Sequence, residues 1–351
     1  MIQRREFLTT FATACAVTSL PKWATAKDGN RTLNWRSKTI QTVAKTSGNR
    51  APVVTGVSLR PESNEIAIVG DDHYISVYDQ SLDRFTEHLN EHEDWIRAAR
   101  YSPAGDRLVT AGNDRRVISW STDKYDLPTL IATHPEAVIE VAFNSDGTRL
   151  GTVGFERSLR IYDCQTTQLL QKLECACDDN HAVAFSLDGQ LIAAGGRCGT
   201  IRVWQAGSGA LAAEFKAHRN RIRSIEFNPN GHILSCAEDQ TIRLTDPMRP
   251  STPVKVARQS ARLFDTKLIA DNFVASGSAD NRIHIYRIDD SAWIGSLEGH
   301  TGTVCCLDAN ESHLVSGSYD TQVRVWELQA EDANGVRHTQ LNQGWKNGRL
   351  K

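Results

Sequence analysis

One unit recurs seven times along this chain, and its period constrains the fold more than any other feature. An apolar alternating segment leads into a turn, a second apolar segment follows, and after a short polar turn a third segment ends on a marker residue. The third segments are Ile75 to Tyr78, Val117 to Trp120, Leu159 to Tyr162, Ile201 to Trp204, Ile242 to Thr245, Ile283 to Tyr286 and Val323 to Trp326. Successive markers lie 42, 42, 42, 41, 41 and 40 residues apart. Chance does not produce so regular a spacing, and a period of about 40–45 residues is typical of units of four short strands.

Within each unit, apolar and polar residues alternate with period two, the pattern of half-buried antiparallel strands. Ala98 to Tyr101, Val141 to Phe143, Val183 to Phe185 and Ile225 to Phe227 are equivalent first strands. Asp146-Gly147, Asp188-Gly189 and Asn230-Gly231 supply turn residues that tolerate positive φ. No segment after Ala26 holds a helical pattern, and 24 glycines against 2 methionines suit a turn-rich β chain. The expected fold is all-β, a seven-bladed β-propeller of four-stranded antiparallel blades.

From about Val53 to Trp326 the repeats resemble WD repeats. That family is marked by a buried tetrad of His, Ser or Thr, Asp and Trp. His92, Thr110, Asp114 and Trp120 match it in the second blade, and His300, Ser316, Asp320 and Trp326 in the last. Six residues before each marker stand Asp72, Asp114, Asp239, Asp280 and Asp320, but Glu156 and Cys198 in blades three and four. Thr245 replaces the aromatic marker of blade five, and Ser260 is read at the His position of blade six. A His, hydroxyl, Asp and indole chain satisfies every buried polar group internally. Its recurrence makes it a structural device and not a hydrolase triad.

The resemblance also bears on the chain ends. After Trp326 the last blade has three strands, and in this family an N-terminal segment commonly supplies the fourth. Thr39 to Ala44 has the alternation for it, with Thr46 to Asn49 as the loop into blade one; Val336 to Leu341 is a competing candidate. Closure of the ring removes open sheet edges. Upstream, residues 1–26 read as an export leader: Arg4 and Arg5, then Phe7-Leu8, an uncharged stretch from Thr9 to Leu20, and Ala24-Thr25-Ala26. The paired arginines resemble the bacterial twin-arginine motif, and the uncharged stretch is shorter than the about 20 residues a membrane span needs. Residues 27–328 then form the propeller and residues 329–351 a polar tail. The protein is expected in the periplasm or cell envelope if the leader is used and otherwise in the cytoplasm, with no transmembrane segment in the mature chain.

Chemistry-bearing motifs are few. With Cys15 in the leader, seven cysteines remain, and an odd number cannot all pair. Cys175-Ala176-Cys177 lacks redox or zinc spacing, yet its loop is where a disulfide is to be sought. There is no Gly-rich phosphate loop, nucleophile elbow or His-Glu-x-x-His. Lys and Arg total 40 against 42 Asp and Glu, so no basic field draws nucleic acid. Neither a cofactor nor a metal is expected, and the chain is expected to be monomeric by itself.

On WD-repeat proteins the usual partner surface is the face formed by the loop leading into each blade and the turn between its second and third strands. Here those positions hold Trp95, Arg97, Asn113, Phe155, Arg197, Arg221, Arg223 and Tyr319. Aromatic and Arg side chains dominate binding hot spots. The expected function is therefore a non-catalytic scaffold for protein or peptide partners; the alternative is a propeller hydrolase or lyase acting in the central channel.

Overall fold

The computed structural model describes residues 34–42, 51–251, 253–270, 272–310, 313–331 and 337–338. Residues 1–26, the Thr46 to Asn49 loop and most of the tail lie outside them. Seven antiparallel sheets follow one another along the chain, six of them four-stranded in simple meander order. Blade two shows the plan, with strands Ile96–Tyr101, Arg107–Gly112, Arg116–Ser121 and Thr129–Thr133. The described residues contain no helix.

The alternation explains the layering. First strands of neighbouring blades contact one another around the ring, so they form its hub. Second strands, such as Arg107–Gly112 and His313–Ser318, are buried on both faces from their second residue onward. Seven apolar clusters result, each lying between two neighbouring blades; one joins Val57 and Ile66 of blade one to Val315 and Val325 of blade seven. Gly105, Gly147, Gly189 and Gly231 take φ between 69° and 76° at the turns after the first strands, where a side chain would be strained.

The N-terminal strand closes the ring as expected, over a span that shares Thr39 to Gln41 with the expected segment and reaches further upstream. Asn34–Gln41 pairs antiparallel along Gln322–Glu331, from Asn34 opposite Gln329 to Gln41 opposite Gln322. The strand thus starts and ends earlier than Thr39 to Ala44. Thr42 finishes the closure by donating its hydroxyl to the Thr321 carbonyl at 2.6 Å. Of the competing segment Val336 to Leu341 only Arg337–His338 is among the described residues, and it pairs with Ala330 and Glu331, beyond the blade proper.

Candidate partner-binding face

One backbone bond repeats in every blade and builds the face. The residue before each tetrad-carboxylate position donates its N–H to a carbonyl of the loop leading into the same blade. The pairs are Asp71 to Val53, Asn113 to Trp95, Phe155 to Ala137, Arg197 to Asp179, Glu238 to Arg221, Ala279 to Arg262 and Tyr319 to Thr303, at 2.7–3.2 Å. Glycine permits this approach: a Cβ on Gly154 or Gly196 would sit 1.9 Å from the carbonyl oxygen of Ala137 or Asp179. Phe155 and Arg197 are thereby set on the rim.

Beneath that rim, the tetrads fix each turn. In blade seven the Trp326 indole donates to Ser316 Oγ at 2.8 Å, Ser316 lies 2.8 Å from His300 Nε2, and His300 Nδ1 lies 2.9 Å from Asp320. Indole only donates and carboxylate only accepts, so the Trp326 N–H and the Asp320 carboxylate fix the two ends of the chain, with His300 Nδ1 donating to Asp320. Blade two repeats it, with Trp120 to Thr110 at 3.1 Å, Thr110 to His92 at 2.9 Å and His92 to Asp114 at 2.7 Å. Burial would raise the Asp320 carboxyl, but the bonds from His300 and the Thr301 N–H bring it down to about 2.

Two departures from the pattern are filled in other ways. Glu156 does the work of Asp in blade three, 2.6 Å from His134 Nδ1 and forked by Arg160, while the Tyr162 hydroxyl lies 3.2 Å from His134 Nε2. In blade six Gln259, not Ser260, holds the His position and donates to Ser276 Oγ at 2.6 Å. That blade therefore keeps a side-chain bond which the reading of Ser260 had removed.

Four of the eight rim residues, Arg97, Phe155, Arg223 and Tyr319, line one cavity of about 250 Å³ at the channel mouth. Phe155 and Tyr319 are 43% and 45% exposed, so their rings face solvent as well as the cavity. Arg97 lies over the Trp95 ring, 5.0 Å from its centroid, and donates to Asn113 Oδ1 at 2.8 Å. Arg223 lies 4.9 Å over Phe264, which meets Tyr319 edge-on at 6.2 Å. Burial, joined by the like charge of Arg223, presses the Arg97 guanidinium below its ordinary value. Trp95, Asn113, Arg197 and Arg221 stand outside this lining. Arg221 is committed to Asp179 at 2.7 Å and Glu238 at 3.3 Å.

Phe264, His181 and Cys305 line the cavity too, and the reading of the rim missed them. They share with Arg97 and Arg223 the second position of a first strand. His181 is 2.7 Å from Asp179 and meets Phe155 edge-on, and burial lowers its pKa. Deeper in the channel, Glu140 pairs with Arg100 at 3.0 Å and Asp308 with Lys267 at 3.7 Å. Glu226 and Asp265 accept backbone N–H groups of Leu268 and Leu307. Each of these carboxylates is thus engaged in holding the hub. Among the described residues no group of His, Cys, Asp and Glu is placed to hold a metal ion, and no helix is long and apolar enough to cross a membrane.

Residues 83–121, 170–205, 209–246 and 292–327 match the family model described as WD domain, G-beta repeat. Blades two, four, five and seven thus match the WD repeat. Periodic tryptophan protein 2 homolog of Caenorhabditis elegans is 24% identical over 69% of this chain and 27% of its own length. The WD repeat-containing protein WDS homolog of Arabidopsis thaliana is 23% identical over 78% of this chain and 46% of its own. Transducin beta-like protein 3 of Bos taurus is 23% identical over 90% and 46%. The chain thus spans less than half the length of each of these relatives. Together with the seven-bladed architecture, these likenesses support a WD-repeat propeller family.

Proposed function

We propose that this WD-repeat propeller is a non-catalytic scaffold that binds protein or peptide partners through the rim around the channel mouth. The convergence of Arg97, Phe155, Arg223, Phe264 and Tyr319, drawn from five different blades, on one cavity carries this reading. Side chains of these types concentrate binding energy. Stacking holds both guanidiniums in place before a partner arrives, which lowers the ordering cost of binding. A cavity of about 250 Å³ suits one side chain of a partner laid across the rim. Glu238 is the nearest carboxylate to Arg223, at 3.7 Å, and is shared with Arg221. The mouth therefore favours a partner side chain that is acidic or an amide.

An affinity capture with full-length protein, beside an Arg97→Ala plus Arg223→Ala variant, tests the reading. Partners held by the native chain and lost by the double variant support it. Equal retention by both would overturn the assignment of the face and return attention to the channel. The proposal includes an exported location, supported by Arg4, Arg5 and the uncharged stretch after them. Fractionation of bacteria expressing the native chain and an Arg4→Lys plus Arg5→Lys variant tests that part: the native chain should leave the cytoplasm and the variant should stay.

A further inference from the structure

Blade four closes its rim differently from its neighbours. In blades two, five and seven, a carboxylate takes a His ring N–H and the backbone N–H of the next residue: Asp114 from His92 and Glu93, Asp239 from His218 and Arg219, Asp320 from His300 and Thr301. Blade four has Ala176 where the His belongs, Cys177 after it, and Cys198 at the carboxylate position. The same corner therefore holds two thiols. Cys177 Sγ accepts the backbone N–H of Cys198 at 3.3 Å, which brings the two cysteines to one corner. Both are partly exposed, whereas Cys164, Cys175, Cys236 and Cys306 are buried. Asn180 pins the loop from behind, donating to the carbonyls of Cys177 at 2.8 Å and Glu156 at 2.9 Å.

We propose that Cys177 and Cys198 form a reversible disulfide that replaces, in blade four, the clasp made elsewhere by His and carboxylate. The oxidant is a small-molecule disulfide. The Cys198 thiolate attacks one of its sulfurs and expels the first thiolate; Cys177 then attacks the mixed disulfide at the Cys198 sulfur and expels the second. Two cysteines are oxidised, one disulfide is reduced to two thiols, and the two cysteine protons end on those leaving thiolates. Burial pushes the Cys177 thiol up to about 11, which suits the resolving step better than the first attack. The clasped loop also carries Asp179, the partner of Arg221 and His181, so the redox state acts on one sector of the rim.

The test is peptide mapping of the full chain after equilibration in glutathione buffers of graded potential and alkylation of the remaining thiols. Cys177 and Cys198 should lose alkylation together at one midpoint, and a cross-linked peptide should join them. The oxidised form should melt roughly 5 °C higher than the reduced one. Cys177→Ser and Cys198→Ser should each abolish the cross-link; Cys198 should then be trapped as the glutathione mixed disulfide in the first variant, and Cys177 should stay alkylated in the second. The proposal fails if both residues stay alkylated at the oxidising limit, if Cys175 takes the bond instead, or if Cys198 of the native chain stops as a glutathione adduct. Mapping the native chain needs no variant to fold.

Discussion

The Asp308 carboxylate crosses the seam between the last blade and the first and accepts the backbone N–H of Leu59 at 2.8 Å. Equivalent first-strand positions repeat the stitch: Ser58 to Tyr101 at 3.1 Å and Glu226 to Leu268 at 2.9 Å. First strands are the inner edges of their sheets, and an edge N–H left without an acceptor in a crowded hub is costly. The ring is thus closed twice at one seam, by the N-terminal strand on the outside and by a side chain at the hub.

Replacing Asp308 by Ala removes the acceptor for Leu59 and one of the carboxylates that face Lys267, which lies 3.7 Å away and keeps Glu226. The expected loss is about 2–3 kcal/mol, the upper part of the range for a buried donor left unsatisfied. Asp308→Asn keeps an acceptor oxygen and should lose less than half as much. Denaturant midpoints of the two variants decide the matter; an Asp308→Ala protein as stable as the native one would remove the stitch from the account.

The tetrad of blade five lacks its aromatic donor, and Thr245 stands in its place, 1% exposed with a hydroxyl that has no hydrogen-bond partner. Thr245→Val swaps that hydroxyl for a methyl of similar volume. It should stabilise the protein by about 1 kcal/mol, since a buried unsatisfied group costs about that or more. The mirror experiment in blade seven is Trp326→Phe, which deprives Ser316 of its indole donor at 2.8 Å and should destabilise. Opposite signs in the two melting temperatures are the expected result.

Acid should loosen the blades in a defined window. The Asp320 and Glu156 carboxyls are held at about 2 against burial, by His300 and the Thr301 N–H in one case and by His134, Arg160 and Ser158 in the other. Asp239 is lowered further in the same sense. A carboxyl more acidic in the folded state stabilises it above the unfolded value near pH ~4, and that contribution disappears as pH falls through the folded value. Melting temperature should therefore hold above pH ~5 and drop between pH ~4 and ~2. Asp320→Asn should start lower and fall less steeply across that window, as followed by calorimetry.

What the sequence made legible follows from averaging. Seven copies reinforce one another, so blade number, strand order and the glycine turns stand out from the period alone. Single positions carry no such support. Gln259 was missed in favour of Ser260 because the period shortens from 42 to 41 residues just there. The closing strand was placed too late because the alternation of Thr39 to Ala44 is local, while pairing extends to Gln329 along an unusually long partner. The rim was readable where residues keep a fixed offset from the carboxylate position, as Phe155 and Tyr319 do. Phe264 and His181 were within reach by the same register as Arg97 and Arg223. The partners of Arg221 were not, because Asp179 lies in the neighbouring blade and only packing brings it near.

That difference ranks the arginines. Arg221 is neutralised by Asp179 and Glu238, whereas Arg97 has Asn113, an uncharged acceptor, and Arg223 has the His181 ring at 3.5 Å and Glu238 at 3.7 Å. A partner that needs a cation at the mouth should use Arg97 and Arg223. For a captured partner, Arg97→Ala and Arg223→Ala should each weaken binding about tenfold or more, and Arg221→Ala less than about threefold. Titrations by calorimetry at two salt concentrations separate the cases. Losing Arg97 or Arg223 should also flatten the salt dependence, because a guanidinium short of counter-charge is the one whose attraction salt screens. A partner lost on Arg221→Ala and indifferent to the other two would place its contact on the blade-four and blade-five sector, away from the cavity.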